Sequence, residues 1–254
     1  MLIGSVAGVL SGLLGIGGGI IVIPLLIWLF RIQNIPPDLV MHLAAGTSLS
    51  VMTFTAASSL YGHIKHGITI WPIYRRLAMG MIIGTIFGAI FGHFLPGRVL
   101  EIIFAIFVLL VAFRMLIAIK TTSNRTLPRP LGTFIVALLI GGKSGLLGIG
   151  GGAITIPFLS YCNVPIRNIV AVSASCSLTI ATIGTISFIL TGQHAIDLPT
   201  WSLGYIYLPA FLGIVLTSPL CAQLGAYFSH KLPVTVLTRI LGAILLIMAI
   251  HMLI

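Results

Sequence analysis

The chain has 254 residues, of which 58% are hydrophobic and only 6% charged, with a mean hydropathy of +1.21. That balance excludes an ordinary soluble domain. Thirteen basic against three acidic residues give a formal charge of +10, which in a soluble chain would point to nucleic acid. In a chain this apolar, loop Lys and Arg are expected to hold one face of a membrane and to meet anionic lipid, with no nucleic-acid partner.

In chain order, the first element is the apolar stretch Leu2 to Phe30. It is read as the first membrane segment and not as a removed signal peptide, because "MLIGSVAGVLSGLLG" has no basic leader and no clear cleavage site. A glycine cluster, "SGLLGIGGGIIVIP" (11 to 24), interrupts it. Three uninterrupted spans are expected next, at roughly 41 to 62, 71 to 94 and 97 to 118, each long enough for a helix to cross about 30 Å of hydrocarbon. The polar stretch "KTTSNRTLPRP" (120 to 130) then reads as a linker.

After the linker the pattern starts again. Leu131 to Tyr161 carries "SGLLGIGGGAITIP" (144 to 157), and spans are expected at roughly 167 to 190, 201 to 229 and 234 to 254. "GAIFGHFLP" (88 to 96) returns as "GAYFSHKLP" (225 to 233), and "RMLI" (114 to 117) as "HMLI" (251 to 254). The expected fold is therefore an all-α polytopic membrane protein of two homologous halves: 1 to 120, a linker from 121 to 130, and 131 to 254.

Each glycine segment holds two arms of about 12 residues, each reaching only half way across a bilayer at 1.5 Å per residue, so a re-entrant hairpin fits better than a full crossing. With both segments re-entrant, ten basic loop residues fall on one side and only Arg31 and Arg98 on the other, a clear positive-inside bias. Each half then crosses an odd number of times, so the halves are expected to insert as inverted repeats.

The chemistry is expected at the glycines. Gly17, Gly18 and Gly19 precede one short helix, and Gly150, Gly151 and Gly152 another. The first N–H groups of each lack intrahelical acceptors and sit at the positive end of the helix dipole, a site for an anion. Pro24 and Pro157 fall near the helix starts, where a missing donor costs little. Close packing alone would be the plainer use of such glycines, but two near-identical copies are harder to explain that way.

Thr47, Ser48, Ser50 and Ser173, Ser175, Ser177 place hydroxyl donors in the spans after the hairpins, without a charge that would be costly to bury. Lys143 is the single ionisable residue inside a glycine segment and either attracts the anion or snorkels to the surface. The ladder Gly80, Gly84, Gly88, Gly92, with counterpart Thr217, Cys221, Gly225, Ser229, reads as a close-packing face. Cys162, Cys176 and Cys221 read as small packing residues. The histidines, mostly at loop edges (His63, His66, His194, His230), show no metal-ligand pattern, and neither metal nor cofactor is expected.

With the doubled "GLLGIGGG" and the "GTS" of Gly46, Thr47 and Ser48, which appears as Ser173, Ala174, Ser175 in the second half, the chain resembles the sulfite exporter TauE/SafE family of membrane permeases over essentially its whole length. The resemblance implies a single-component permease for sulfur-containing anions such as sulfite or organosulfonates. The expected function is a secondary transporter in the cell inner (plasma) membrane, working by alternating access on a small anionic substrate among membrane lipid; a homodimer is compatible with this. An anion channel is the alternative. An enzyme would need a converging acid, base or nucleophile set, and the sequence offers none. Asp38, Glu101 and Asp197 lie near span ends, so no buried carboxylate is available to relay protons, and uniport or a cation held by backbone carbonyls is expected.

Overall fold

A computed structural model describes residues 18–65, 71–117, 127–193, 195, 197–229 and 234–253, without the side chains of 62–65, 166–167, 219–229 and 234–238. Gly17, the first arm of the first glycine segment, residues 121–126 of the linker, His66, His194, His230 and the side chains of His63 and Cys221 lie outside this range.

Nine helices are present among the described residues: α1 (Gly19–Ile32), α2 (Pro37–Lys65), α3 (Trp71–Phe94), α4 (Gly97–Ile117), α5 (Pro130–Leu147), α6 (Gly152–Tyr161), α7 (Ile166–Gly192), α8 (Leu208–Ser229) and α9 (Val234–Leu253). Five of them, α2, α3, α4, α5 and α7, contain stretches long and apolar enough to cross a membrane. The core is built around α2 and α7, whose apolar windows are 78% and 61% buried, against 39% for each of the other three. In a bilayer those three turn large side chains such as Phe87, Phe91, Leu110 and Leu139 outward, where lipid replaces water.

Small residues fix how the helices run. A β-carbon at Gly80 would lie 2.6 Å from the Phe134 carbonyl oxygen, while Gly84 meets the Leu138 carbonyl and Gly88 that of Gly142. Gly141 and Gly145 meet the carbonyls of Met81 and Thr85 in return. The glycine ladder is thus a backbone-to-backbone seam, the small-residue packing that holds helices together in lipid, and α3 and α5 run parallel along it. By contrast α2 and α7 run antiparallel: Gly46 packs on Phe188, and Gly184 on Leu49.

The two ends of the bundle follow. At one, the Arg31 end, α1 finishes, α2 and α4 begin, and α3, α7 and α9 finish: Gly97 abuts Asp38, His42 meets Gly92, and Arg98 donates to the carbonyls of Met252 and Leu253. At the other, the Arg75 end, α3, α5 and α7 begin. Because α5 sets out from the Arg75 end and α6 leads through a short connection into the start of α7, residues 130–161 leave and return on the same side. The arms are unequal, with 18 residues in α5 and 10 in α6, where the sequence suggested about 12 in each.

Three local expectations change. Residues 201–207 are not helical but form an antiparallel pair, β1 (Ser202–Leu203) and β2 (Ile206–Tyr207). Trp201 at φ 69° and Gly204 at φ 56° cannot continue a right-handed helix. Pro24 and Pro157 stand at the sixth position of α1 and α6, past the first turn, so each deprives the carbonyl four residues back of a donor. Lastly, the register of the second spans differs from the "GTS" match. Asn34 and Asn163, both at φ 55°, hold equivalent turns before α2 and α7; adding 129 to 34 and to 48 gives 163 and 177, so Ser177 is the counterpart of Ser48.

Candidate functional site

The second glycine turn is built by α5 ending in an αL cap. Gly148 takes φ +73° and its N–H reaches the Ser144 carbonyl, as does that of Ile149 at 3.1 Å. The turn is buried against α2, where a β-carbon at Gly148 would lie 2.5 Å from the Ala45 Cβ. Such irregular backbone is tolerated at membrane depth only where protein covers it. Helix α6 then starts at Gly152 and α1 starts at Gly19, after Gly18 at φ 69°. Neither start has a side-chain cap, and their leading N–H groups have no acceptor within the helix.

The two starts meet. A β-carbon at Gly19 would lie 3.5 Å from the Gly150 nitrogen and 3.4 Å from Ser48 Oγ, and one at Gly150 would lie 3.5 Å from Ser177 Oγ. The equivalent serines of α2 and α7 therefore flank the paired turns. Around them, Ser48 Oγ, Ser144 Oγ and Thr155 Oγ1 are buried with no hydrogen-bond partner among the described residues. Buried hydroxyls normally find partners, so these are donors held in reserve. The Met52 side chain fills the gap: its sulfur would lie 2.6 Å from a β-carbon at Gly19, and its methyl would meet one at Gly150.

The other expected residues divide. Gly18 and Gly151 cap the two helices, their carbonyls accepting from Ile21 and Val22 and from Ile154 and Thr155. Thr47 Oγ1 accepts from the Tyr207 N–H at 3.0 Å, tying β2 to α2. Ser175 Oγ donates back to the Ala171 carbonyl and Ser50 Oγ to that of Thr47. Ser173 is buried on α7, four residues before Ser177. Lys143 is exposed, with Nζ 5.1 Å from the centre of the Phe107 ring. It lines, with Phe107, Ser144, Gly150 and Ile154, a narrow cleft that runs to the glycine turn. Cys162 and Cys176 are buried free thiols.

Ser177 was among the hydroxyls expected from the sequence, whereas Ser144, Thr155 and Met52 were not singled out as ligands. Ser144 opens the repeated "SGLLGIGGG" itself, so its signal was inside the motif. Thr155 has Val22 as its counterpart and carries no repeat signal at all.

The model of the family described as "Sulfite exporter TauE/SafE" matches residues 1–252. A probable membrane transporter protein of Haemophilus influenzae is 38% identical over 99% of this chain and 96% of its own length. A protein of the same description from Methanocaldococcus jannaschii is 28% identical over 100% and 94%, and one from Bacillus subtilis 30% identical over 91% and 89%. No solved structure matches.

Proposed function

We propose that this chain, which belongs to the sulfite exporter TauE/SafE family and is a membrane transporter, moves a small sulfur-containing anion such as sulfite or an organosulfonate by alternating access. The observation that carries this reading is the meeting of two helix starts that lack side-chain caps, beside three buried hydroxyls that have no partner among the described residues. Neutral donors and two helix dipoles suit an oxyanion, and they avoid the cost of burying a fixed charge.

The halves, 1–120 and 131–254, are inverted repeats in this reading. It is supported by the antiparallel course of two equivalent pairs of spans, α2 with α7 and α4 with α9, and by the placing of Ser48 and Ser177 about the two turns. Inverted repeats meeting at a midplane site are the usual ground for rocking one half against the other. Glu101 is buried, where the sequence suggested no buried carboxylate, but it is neutralised by Arg31 and Arg98 at 2.5 and 3.4 Å, whereas Arg75, Arg76, Arg114, Arg129 and Arg239 gather at the Arg75 end. That asymmetry supports a cytoplasmic Arg75 end, in a cell inner membrane.

Met52 closes the site in this conformation, and its flexible thioether must swing aside for an anion to reach both Gly19 and Gly150. A side chain filling the route favours a carrier over an open channel. Met52→Ala is expected to raise flux for bulkier sulfonates several-fold relative to sulfite; an unchanged ratio in competition assays would remove Met52 from the route.

Lys143 attracts the anion toward the glycine turn, from the outer end of a cleft that is closed in this conformation. Lys143→Gln should raise the half-saturating concentration roughly tenfold, on the scale of a lost charge contact, with little change in maximal rate, while Lys143→Arg keeps most of the affinity. The reading as a whole is tested by flux of ³⁵S-labelled sulfite and of isethionate into liposomes holding the purified chain. Saturable uptake of either supports it, and conductance far above carrier turnover in planar bilayers replaces it with a channel.

A further inference from the structure

His42 is a buried ionisable residue in the most buried helix, and nothing in the anion site uses it. Its side chain is 5% exposed, five positions into α2. Nδ1 lies 2.9 Å from the Asp38 carbonyl oxygen on its own helix and Nε2 lies 3.1 Å from the Gly92 carbonyl oxygen on α3. Both neighbours are acceptors only. A neutral imidazole has one N–H and can satisfy one of them; the imidazolium has two and satisfies both.

We propose that His42 is a proton-binding site linked to anion binding. This rests on the reading of the chain as an anion transporter. As the imidazolium, the ring staples α2 to α3 at the Arg31 end. Loss of the proton leaves one nitrogen lone pair facing a carbonyl oxygen, and the staple opens. The route to the anion site is short and built of direct contacts. The His42 ring stacks on Tyr205, with ring centres 5.0 Å apart. Tyr205 packs through its carbonyl on Gly46, and Tyr207 bonds Thr47, the residue before Ser48. The half-buried His93 meets the Tyr205 hydroxyl at 3.0 Å and forms the outer edge of the cluster. The titratable groups facing His42 are His93 on α3, Tyr205 on the hairpin and Asp38 on α2. A proton taken up here adds a positive charge to the helix that carries Ser48, so it favours the anion. By reciprocity the anion favours the proton.

Two readouts on the purified full chain in nanodiscs test this. The first is ¹⁵N histidine NMR from pH 5 to 8, with His42 assigned by its loss in His42→Gln. A doubly protonated ring at the acidic end is expected; a single neutral tautomer throughout overturns the proposal. The second is calorimetric titration with isethionate, which stays ionised, in two buffers of different ionisation enthalpy. Proton uptake is expected on binding, with affinity about tenfold tighter at pH 5.5 than at 7.5. The dependence should vanish in His42→Gln and persist in His93→Gln. Binding without proton uptake overturns the proposal and leaves the transporter reading intact. If neither isethionate nor sulfite binds, the assignment of sulfur-containing anions falls and with it the linkage, and the NMR titration alone decides the proton site.

Discussion

Gly19→Leu and Gly150→Leu are each expected to reduce transport by at least about a hundredfold, the scale seen when a positioned donor is removed from an oxyanion site, while the protein still folds and reaches the membrane. The two outcomes separate because of what surrounds these positions. The nearest atoms to a new side chain are the sulfur and methyl of Met52, the far end of a flexible residue, so the fold can yield. The space it yields is the space the anion needs, since a leucine there covers the amide starts of α1 or α6 and crowds Ser48 or Ser177. Flux in liposomes, normalised to protein recovered from the membrane fraction, gives the answer. Wild-type flux in both variants would remove the paired turns from the mechanism.

Gly148→Ala is expected to prevent stable folding, with a loss of about 3 kcal/mol or more. A β-carbon at φ +73° costs about 1–2 kcal/mol, and here it also overlaps the Ala45 backbone and Cβ. A turn pressed against the backbone of the buried helix α2 has nowhere to go, and overpacking of that kind costs about 1–3 kcal/mol more. A sharp fall in yield and in melting temperature is the expected readout. The control is Gly142→Ala, whose new carbon would meet only the Gly84 carbonyl at 3.7 Å, an ordinary contact. Equal stability of the two variants would mean that the turn at 148–151 is not packed as described.

Much of this was legible in the sequence because the signals are local. Long apolar runs marked the spans from 71 to 94 and 97 to 118 almost to the residue, and "GLLGIGGG" marked the turn at which α5 stops. The ladder Gly80, Gly84, Gly88 announced a close-packed face. It could not announce its partner, since Gly141 and Gly145 lie about sixty residues away and belong to the segment with the turn.

The hydroxyls were less legible, because a serine's use depends on what stands opposite. Ser48 and Ser175 look alike in sequence, yet the first lies beside Gly19 with no partner among the described residues and the second bonds its own helix. Thr47 gives its oxygen to Tyr207, in a hairpin that apolar content disguised as the start of a span. The match of "GTS" to Ser173, Ala174, Ser175 slipped by two residues because loop lengths differ between halves; the shared αL asparagines, Asn34 and Asn163, fix the register instead. His42 carries no sequence signal, since only the approach of Gly92 turns a helical histidine into a two-acceptor site.

The paired turns can be tested most directly by an anomalous difference map from crystals of the full chain soaked in bromomethanesulfonate, with the bromine locating the ligand. A single strong peak is expected with the sulfonate within about 3.5 Å of Ser48 Oγ and the Gly19 and Gly150 amides, and no such peak in Gly150→Leu. A ligand bound instead at the arginines of the Arg31 end, with the glycine turns still closed over Met52, would contradict a midplane site made of neutral donors.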